Sequence, residues 1–161
     1  MTQAANTAAP FEAPRGVLTS RVDDKGRLKL PAAVKAYFDS LDEKTLFVTS
    51  LDLRVVSIYP IAVWRENEML LERLAEEIED AEDLAFLAQD VGIEVKPDAQ
   101  GRLLIPQQLR KLLGLENQPV YLNSFKGRIN VFAKEVYEQL QAKARAQAPE
   151  RARKLKMRGL K

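Results

Sequence analysis

The chain of 161 residues contains no cysteine and no histidine. Without cysteine it can form no disulfide, thiolate nucleophile or zinc–cysteine site. Without histidine it lacks the commonest general base and the commonest metal ligand. Long apolar runs are missing as well. None approaches the roughly 20 residues needed to span a bilayer, so no transmembrane helix is expected. The start, MTQAANTAAPFEAP, has neither a basic n-region nor an apolar h-region and does not read as a signal peptide. Its Ala, Thr, Pro and Gln suggest a mobile leader over residues 1–14. What remains, 46% hydrophobic and 30% charged, is ordinary globular composition for one compact domain or two small lobes. The simplest expectation is a cytoplasmic protein that is not an enzyme, with no catalytic residue, metal, cofactor, small-molecule substrate or membrane partner.

What is present is one stretch used twice. Residues 23–31 read DDKGRLKLP and residues 98–106 read DAQGRLLIP. Asp23, Gly26, Arg27, Leu28 and Pro31 match Asp98, Gly101, Arg102, Leu103 and Pro106 at a constant offset of 75. Internal similarity of this kind precedes any single-residue reading. It continues beyond the prolines, with Val34 and Phe38 matching Leu109 and Leu113. Later, Tyr59 and Trp64 match Phe132 and Tyr137 at an offset of 73, so the second copy has a loop two residues shorter.

Local chemistry predicts the elements. Val17 to Val22 has strand character, and Asp23 to Gly26 is turn chemistry, because Asp caps turns and Gly accepts positive φ. Arg27 to Leu30 alternates, with the leucines on one face and Arg27 and Lys29 on the other. The two strands are expected to pair as a β-hairpin. Pro31 and Pro106 suit the starts of helices, and Gly114 suits a left-handed C-cap. Strands are also expected at 46–48, 55–59, 120–122 and 129–132, the last two around a Lys126-Gly127 turn. One long amphipathic helix is expected from Ile61 to Gln89, with Val63, Leu70, Leu74, Ile78, Ala81 and Ala85 as its apolar stripe. Its other face holds nine acids and one base, Arg73, between Glu66 and Asp83. Carboxylate pairs such as Glu76 with Asp80 invite a catalytic or metal reading, but a solvated helix face explains them. A third helix, 135–147, leads into a basic tail. Eight Lys and Arg against Glu150 give residues 141–161 a charge of +7, which leaves −5 on the rest. Such a block is either a disordered tail that meets polyanions or a solvated helical tail.

With both nonapeptides in view, the chain resembles the MraZ family, bacterial transcriptional regulators of the division and cell-wall gene cluster. The paired D-x-x-G-R elements carry the resemblance, each followed by apolar-x-apolar-Pro. Arg15-Gly16 and Leu109-Arg110 through Gly114-Leu115 add to it, and the likeness covers about residues 15–140. It implies an α+β, mainly β fold. Two AbrB-like swapped-hairpin halves, a double-split β-barrel, would lie in one chain with a helical linker and a C-terminal helix. The implied segments are the leader (1–14), a first AbrB-like repeat (15–62), the linker (63–90), a second repeat (91–137), and a helix with basic tail (138–161). The resemblance also implies a ring-shaped homo-oligomer, nucleoid-associated, that binds repeated boxes on double-stranded promoter DNA and usually represses. The leader, the basic tail and the strongly acidic linker depart from the family pattern, and the linker's outer face is expected to point away from DNA.

A two-stranded element fits a major groove. The candidate DNA-binding residues are Lys25, Arg27, Lys29, Arg102 and Arg15. Asp23, Gly26, Asp98 and Gly101 shape the turns. Arg27 and Arg102 have a second, structural reading, since Asp and Arg four apart across a turn can pair. The second copy has Ala99, Gln100 and Leu104 where the first has Asp24, Lys25 and Lys29, so the first is expected to grip harder. Trp64, Tyr59 and Phe132 read as core. The alternative function is an AbrB-fold, antitoxin-like protein whose main partner is another protein, although a basic tail argues against it.

Overall fold

The computed structural model describes residues 12–161. Of the leader expected over 1–14, residues 1–11 lie outside the described residues. Residues 12–14 are held against the body: Ala13 packs on the core, and Ser124 Oγ donates to the Pro14 carbonyl at 2.7 Å.

The chain runs β1 (Leu18–Arg21), β2 (Arg27–Lys29), α1 (Ala32–Asp39), β3 (Leu46–Thr49) and β4 (Val56–Pro60). Two helices follow, α2 (Ile61–Ala75) and α3 (Glu79–Val91). Then come β5 (Ile93–Val95), β6 (Arg102–Leu104), α4 (Gln107–Leu113), β7 (Pro119–Phe125) and β8 (Arg128–Ala133). The chain closes with α5 (Lys134–Ala146) and α6 (Ala148–Lys156). Pro31 and Pro106 sit immediately before α1 and α4, where a missing N–H costs no helical bond. Gly114 ends α4 at φ 64°, the left-handed cap its position predicted. Lys126 and Gly127, at φ 53° and 85°, join β7 to β8 in a two-residue turn that needs positive φ at both positions.

The fold is α+β with antiparallel strands. One sheet has the order β1-β7-β8-β4-β3-β5, and β2 pairs with β6 in a second, two-stranded sheet. This corrects the expected hairpins. Between β1 and β2 only the single bridge Val22↔Leu28 forms. Their ladders go to the other half of the chain: β1 pairs with β7 (Leu18↔Leu122 to Arg21↔Pro119) and β2 with β6 (Leu28↔Leu103), the second of these joining the two nonapeptides. Likewise β5 pairs with β3. Strand partners are a tertiary property that turn chemistry does not encode. Leu28, Leu30, Leu103, Ile105 and Leu109 meet in one core with Val22, Val34 and Val131, all buried.

The stretch 61–89 is also not one helix. It breaks at Glu76–Ile78, and α3 folds back on α2. The expected stripe is therefore only partly buried: Leu70 and Ile78 are exposed, whereas Trp64, Ala81, Ala88 and Val91 are buried. Trp64 packs against Phe47 and Tyr59 with ring centroids 4.8 and 4.9 Å away. Tyr137, its sequence counterpart, stacks on Tyr121 at 4.1 Å. Tyr59, Trp64 and Phe132 are buried, as a core role requires. The basic C-terminal segment is helical, with Pro149 in the first turn of α6. Among the described residues, no helix is long and apolar enough to cross a membrane.

Candidate nucleic-acid interface

The β2–β6 pair brings the two D-x-x-G-R turns side by side. Leu28 and Leu103 face the core, and the opposite face carries Arg27, Lys29, Arg102 and Leu104, with Lys29 directly across from Arg102. Each turn closes the same way. Asp23 accepts the N–H groups of Lys25 and Arg27 on Oδ1 at 2.9 and 2.8 Å. Asp98 accepts those of Gln100 and Arg102, both at 2.9 Å. The turns are also tied to each other, because Leu30 N–H donates to the Gly101 carbonyl at 3.0 Å and Ile105 N–H to the Gly26 carbonyl at 2.9 Å.

The charges interlock across the pair. Arg27 Nε lies 3.3 Å from Asp23 Oδ2, and Arg27 Nη1 lies 3.9 Å from Asp98 Oδ2. Arg102 Nη1 lies 3.9 Å from Asp23 Oδ2. The N–H of Arg27 above all, and then the Lys25 N–H and the Arg27 guanidinium, hold the Asp23 carboxyl below its usual range. Asp98 is lowered in the same way, chiefly by the N–H of Arg102. Both stay ionised at neutral pH. The arginines are held in place by these carboxylates while remaining about one-third exposed, at 32% and 38%. Such an arrangement fixes two guanidinium groups on one surface and leaves their outer N–H edges able to meet an acceptor.

The surrounding depression is lined by Arg21, Asp23, Arg27, Lys29, Gln100 and Arg102. A family model described as “MraZ protein, putative antitoxin-like” matches residues 92–158, from β5 through α6. A protein named transcriptional regulator MraZ from Acidobacterium capsulatum is 39% identical over 97 residues, 60% of this chain and 66% of that one. Its namesake from Caldanaerobacter subterraneus is 32% identical over 120 residues, 73% of this chain and 79% of the relative. That from Acetivibrio thermocellus is 31% identical over 139 residues, 86% of this chain and 94% of the relative. The chain belongs to the MraZ family. These relatives are all named as transcriptional regulators.

Within this MraZ chain, four of the five candidate cations cluster. Arg27, Lys29 and Arg102 share the outer face, and Lys25 is exposed at the tip of the first turn. Arg15 does not join them. It lies beyond the far end of β1, pairs with Glu12 at 2.8 Å, and sits near the β7–β8 turn through the neighbouring Pro14–Ser124 bond. Two residues of the site were not anticipated from the sequence. Arg21, at the end of β1, reaches the depression and donates to the Asn117 carbonyl at 2.9 Å. Arg110 lies beneath the first turn and donates from Nη1 to the Ile105 carbonyl at 3.0 Å. Its Nε is buried without a hydrogen bond, 3.7 Å from Glu116 Oε1. A Cβ on Gly26, whose φ is +82°, would fall 1.6 Å from Arg110 Nη1. At the second turn the equivalent neighbour of Gly101 is Lys35, which is Arg110's counterpart at the offset of 75. The signal was therefore present in the repeat, at positions 35 and 110, but needed the cross-pairing to be read.

Proposed function

We propose that this chain is a sequence-specific DNA-binding regulator, a repressor acting as a ring-shaped homo-oligomer on repeated promoter boxes. On this reading the halves form an AbrB-like, strand-exchanged unit, with β2–β6 as the element that approaches the major groove. The observation that carries it is the union of both D-x-x-G-R turns on one exposed face, with Arg27, Lys29 and Arg102 within a single two-stranded sheet. Five cations there, Arg21, Lys25, Arg27, Lys29 and Arg102, outnumber Asp23, Asp24 and Asp98 and leave a net +2. The lysines supply point charges for phosphates, and a guanidinium can fork onto a guanine edge. Arg15 belongs to a different end of the sheet and is left out of the reading face. Asp23 and Asp98 orient the arginines and do not touch phosphate.

The test is a gel shift with duplex DNA from the chain's own upstream region against a scrambled duplex of equal length, at two salt concentrations. The expected result is preference for the upstream duplex and a steep salt dependence, since each neutralised phosphate adds about −0.9 to the slope of log affinity on log salt. Equal affinity for both duplexes would remove sequence-specific regulation. The antitoxin-like alternative rests on the family description; a preference for a protein partner with no DNA shift would support it.

A further inference from the structure

Two surfaces play no part in the DNA reading, and they complement each other. The first is a cleft of about 440 Å³ between α2 and α3. Its floor is apolar, built by Leu71, Ala75, Ala81 and Ala85, and its exposed rim carries Glu68, Glu72 and Glu82. Met69 and Phe86, on the same two helices, are 68% and 70% exposed. Apolar exposure framed by charge is the composition of a docking surface.

The second surface is the end of α6. Leu160 N–H donates to the Leu155 carbonyl at 3.0 Å and Gly159 N–H to the Lys156 carbonyl at 3.2 Å, with Gly159 at φ +115°. This is the 6→1 and 5→2 closure that brings two apolar side chains together at a helix end, here Leu155 and Leu160. Both are 53% exposed, and α6 buries no residue. Around them residues 151–161 carry Arg151, Arg153, Lys154, Lys156, Arg158 and Lys161 and no acid. Phosphate needs only the charge. A paired leucine knob ringed by cations fits an apolar floor ringed by carboxylates.

We propose that α6 of one copy docks in the α2–α3 cleft of a second copy, Leu155 and Leu160 on the alanine and leucine floor and the cations against Glu68, Glu72 and Glu82. Knob and cleft are different parts of the chain, so the contact is head-to-tail and is of the kind that closes rings. This rests on the homo-oligomer reading and names its surfaces; it is independent of how the turns meet DNA.

The experiment is light scattering coupled to size exclusion on the full chain at micromolar concentration, with thermal melts alongside. The wild type is expected at a multiple of 18.2 kDa. Leu155→Asp with Leu160→Asp is expected to reduce the mass to 18.2 kDa without changing the melt. So is Glu72→Lys with Glu82→Lys, both exposed on the cleft rim. Mixing the two variants leaves one intact knob and one intact cleft, and is expected to give a 1:1 dimer and nothing larger. If both variants keep the wild-type mass, the docking is overturned while the oligomer stands. A monomeric wild type overturns both. Retained mass with loss of binding to random duplex, or to vesicles of anionic lipid, would assign α6 to DNA or to a membrane surface and also overturn the docking.

Discussion

A single carboxylate does two jobs in each turn. Asp23 Oδ1 takes two backbone N–H groups, while Oδ2 faces the guanidinium groups of Arg27 and Arg102. Asparagine would keep the first job and lose the second. Asp98→Asn is therefore expected to lower the melting temperature slightly near neutral pH, because the charge-assisted part of these bonds is gone, and to tighten binding to random duplex, because a carboxylate beside the phosphate-facing cations is gone. Asp98→Ala is expected to lower the melting temperature, because two N–H groups lose their acceptor. The pH dependence follows from the direction of the shifts. Both carboxyls lie below the usual 3.8 in the folded chain, so their stabilisation is complete above that value and is lost as pH falls through the folded one. Melts between neutral pH and about pH 3 should show a steeper acid loss for the wild type than for the Asp23→Asn, Asp98→Asn double variant. The arginines differ in their company. Arg27 has Lys25 and Lys29 beside it, and Arg102 has Gln100 and Leu104. Arg27→Ala is expected to weaken binding to upstream DNA more than Arg102→Ala, by up to the roughly 1–3 kcal/mol of a guanine contact. A large fall in melting temperature with unchanged DNA affinity would assign Arg27 to Asp23 and Asp98 instead. The turn chemistry and the cations were legible in the nonapeptides themselves. The exchange of charge between turns was not, because it exists only once β2 lies against β6.

At the scale of elements, the two turns are alike in backbone but not in what supports them. Gly26 and Gly101 both have φ in the left-handed region, at +82° and +75°, so alanine at either costs about 1–2 kcal/mol. Beneath Gly101 the nearest atom to an added Cβ is Lys35 Cδ at 3.2 Å, the middle of a flexible, exposed side chain that can yield. Beneath Gly26 it is a guanidinium at 1.6 Å, mostly buried and bonded to the Ile105 carbonyl. Gly26→Ala is expected to lower the melting temperature more than Gly101→Ala, each kcal/mol moving it by about 2–4 °C in a chain of this size. Truncating Arg110 to Ala should relieve the collision, so Gly26→Ala and Arg110→Ala are expected to be non-additive. Additive melts would mean that Arg110 already stands clear of the turn. Helix ends marked by Pro31, Pro106 and Gly114 could be read from sequence. The α2–α3 break could not, since Glu76, Glu77 and Ile78 include neither Gly nor Pro and the apolar spacing runs through them. The basic tail showed its charge but not its helix, because charge runs are compatible with both.

At the scale of the whole molecule, the sheet order is what local patterning could not supply. Alternation marks strands and their faces but is silent on partners. Here most partners lie across the two halves: β1 with β7, β2 with β6, β3 with β5 and β4 with β8. Leu28 and Leu103, fully buried and directly opposed, join the halves at the centre of the core. Either one to Ala is expected to cost about 2–5 kcal/mol. The consequence reaches further. Cut between α3 and β5, the first half would retain only the β3–β4 pair, and the second only β7–β8. Two strands and a few helices bury too little apolar surface to stand alone. Residues 1–91 and 92–161, made separately, are therefore expected to be unfolded, or to self-pair as dimers that put two like turns together. Mixed, they should recover the circular dichroism and melt of the intact chain as a 1:1 complex. The family match over residues 92–158 makes the second half the sharper case, because it has the outline of a self-standing unit. A cooperatively melting monomer of 92–161 would show that the cross-half pairings are an addition to a complete domain and not the condition for its folding.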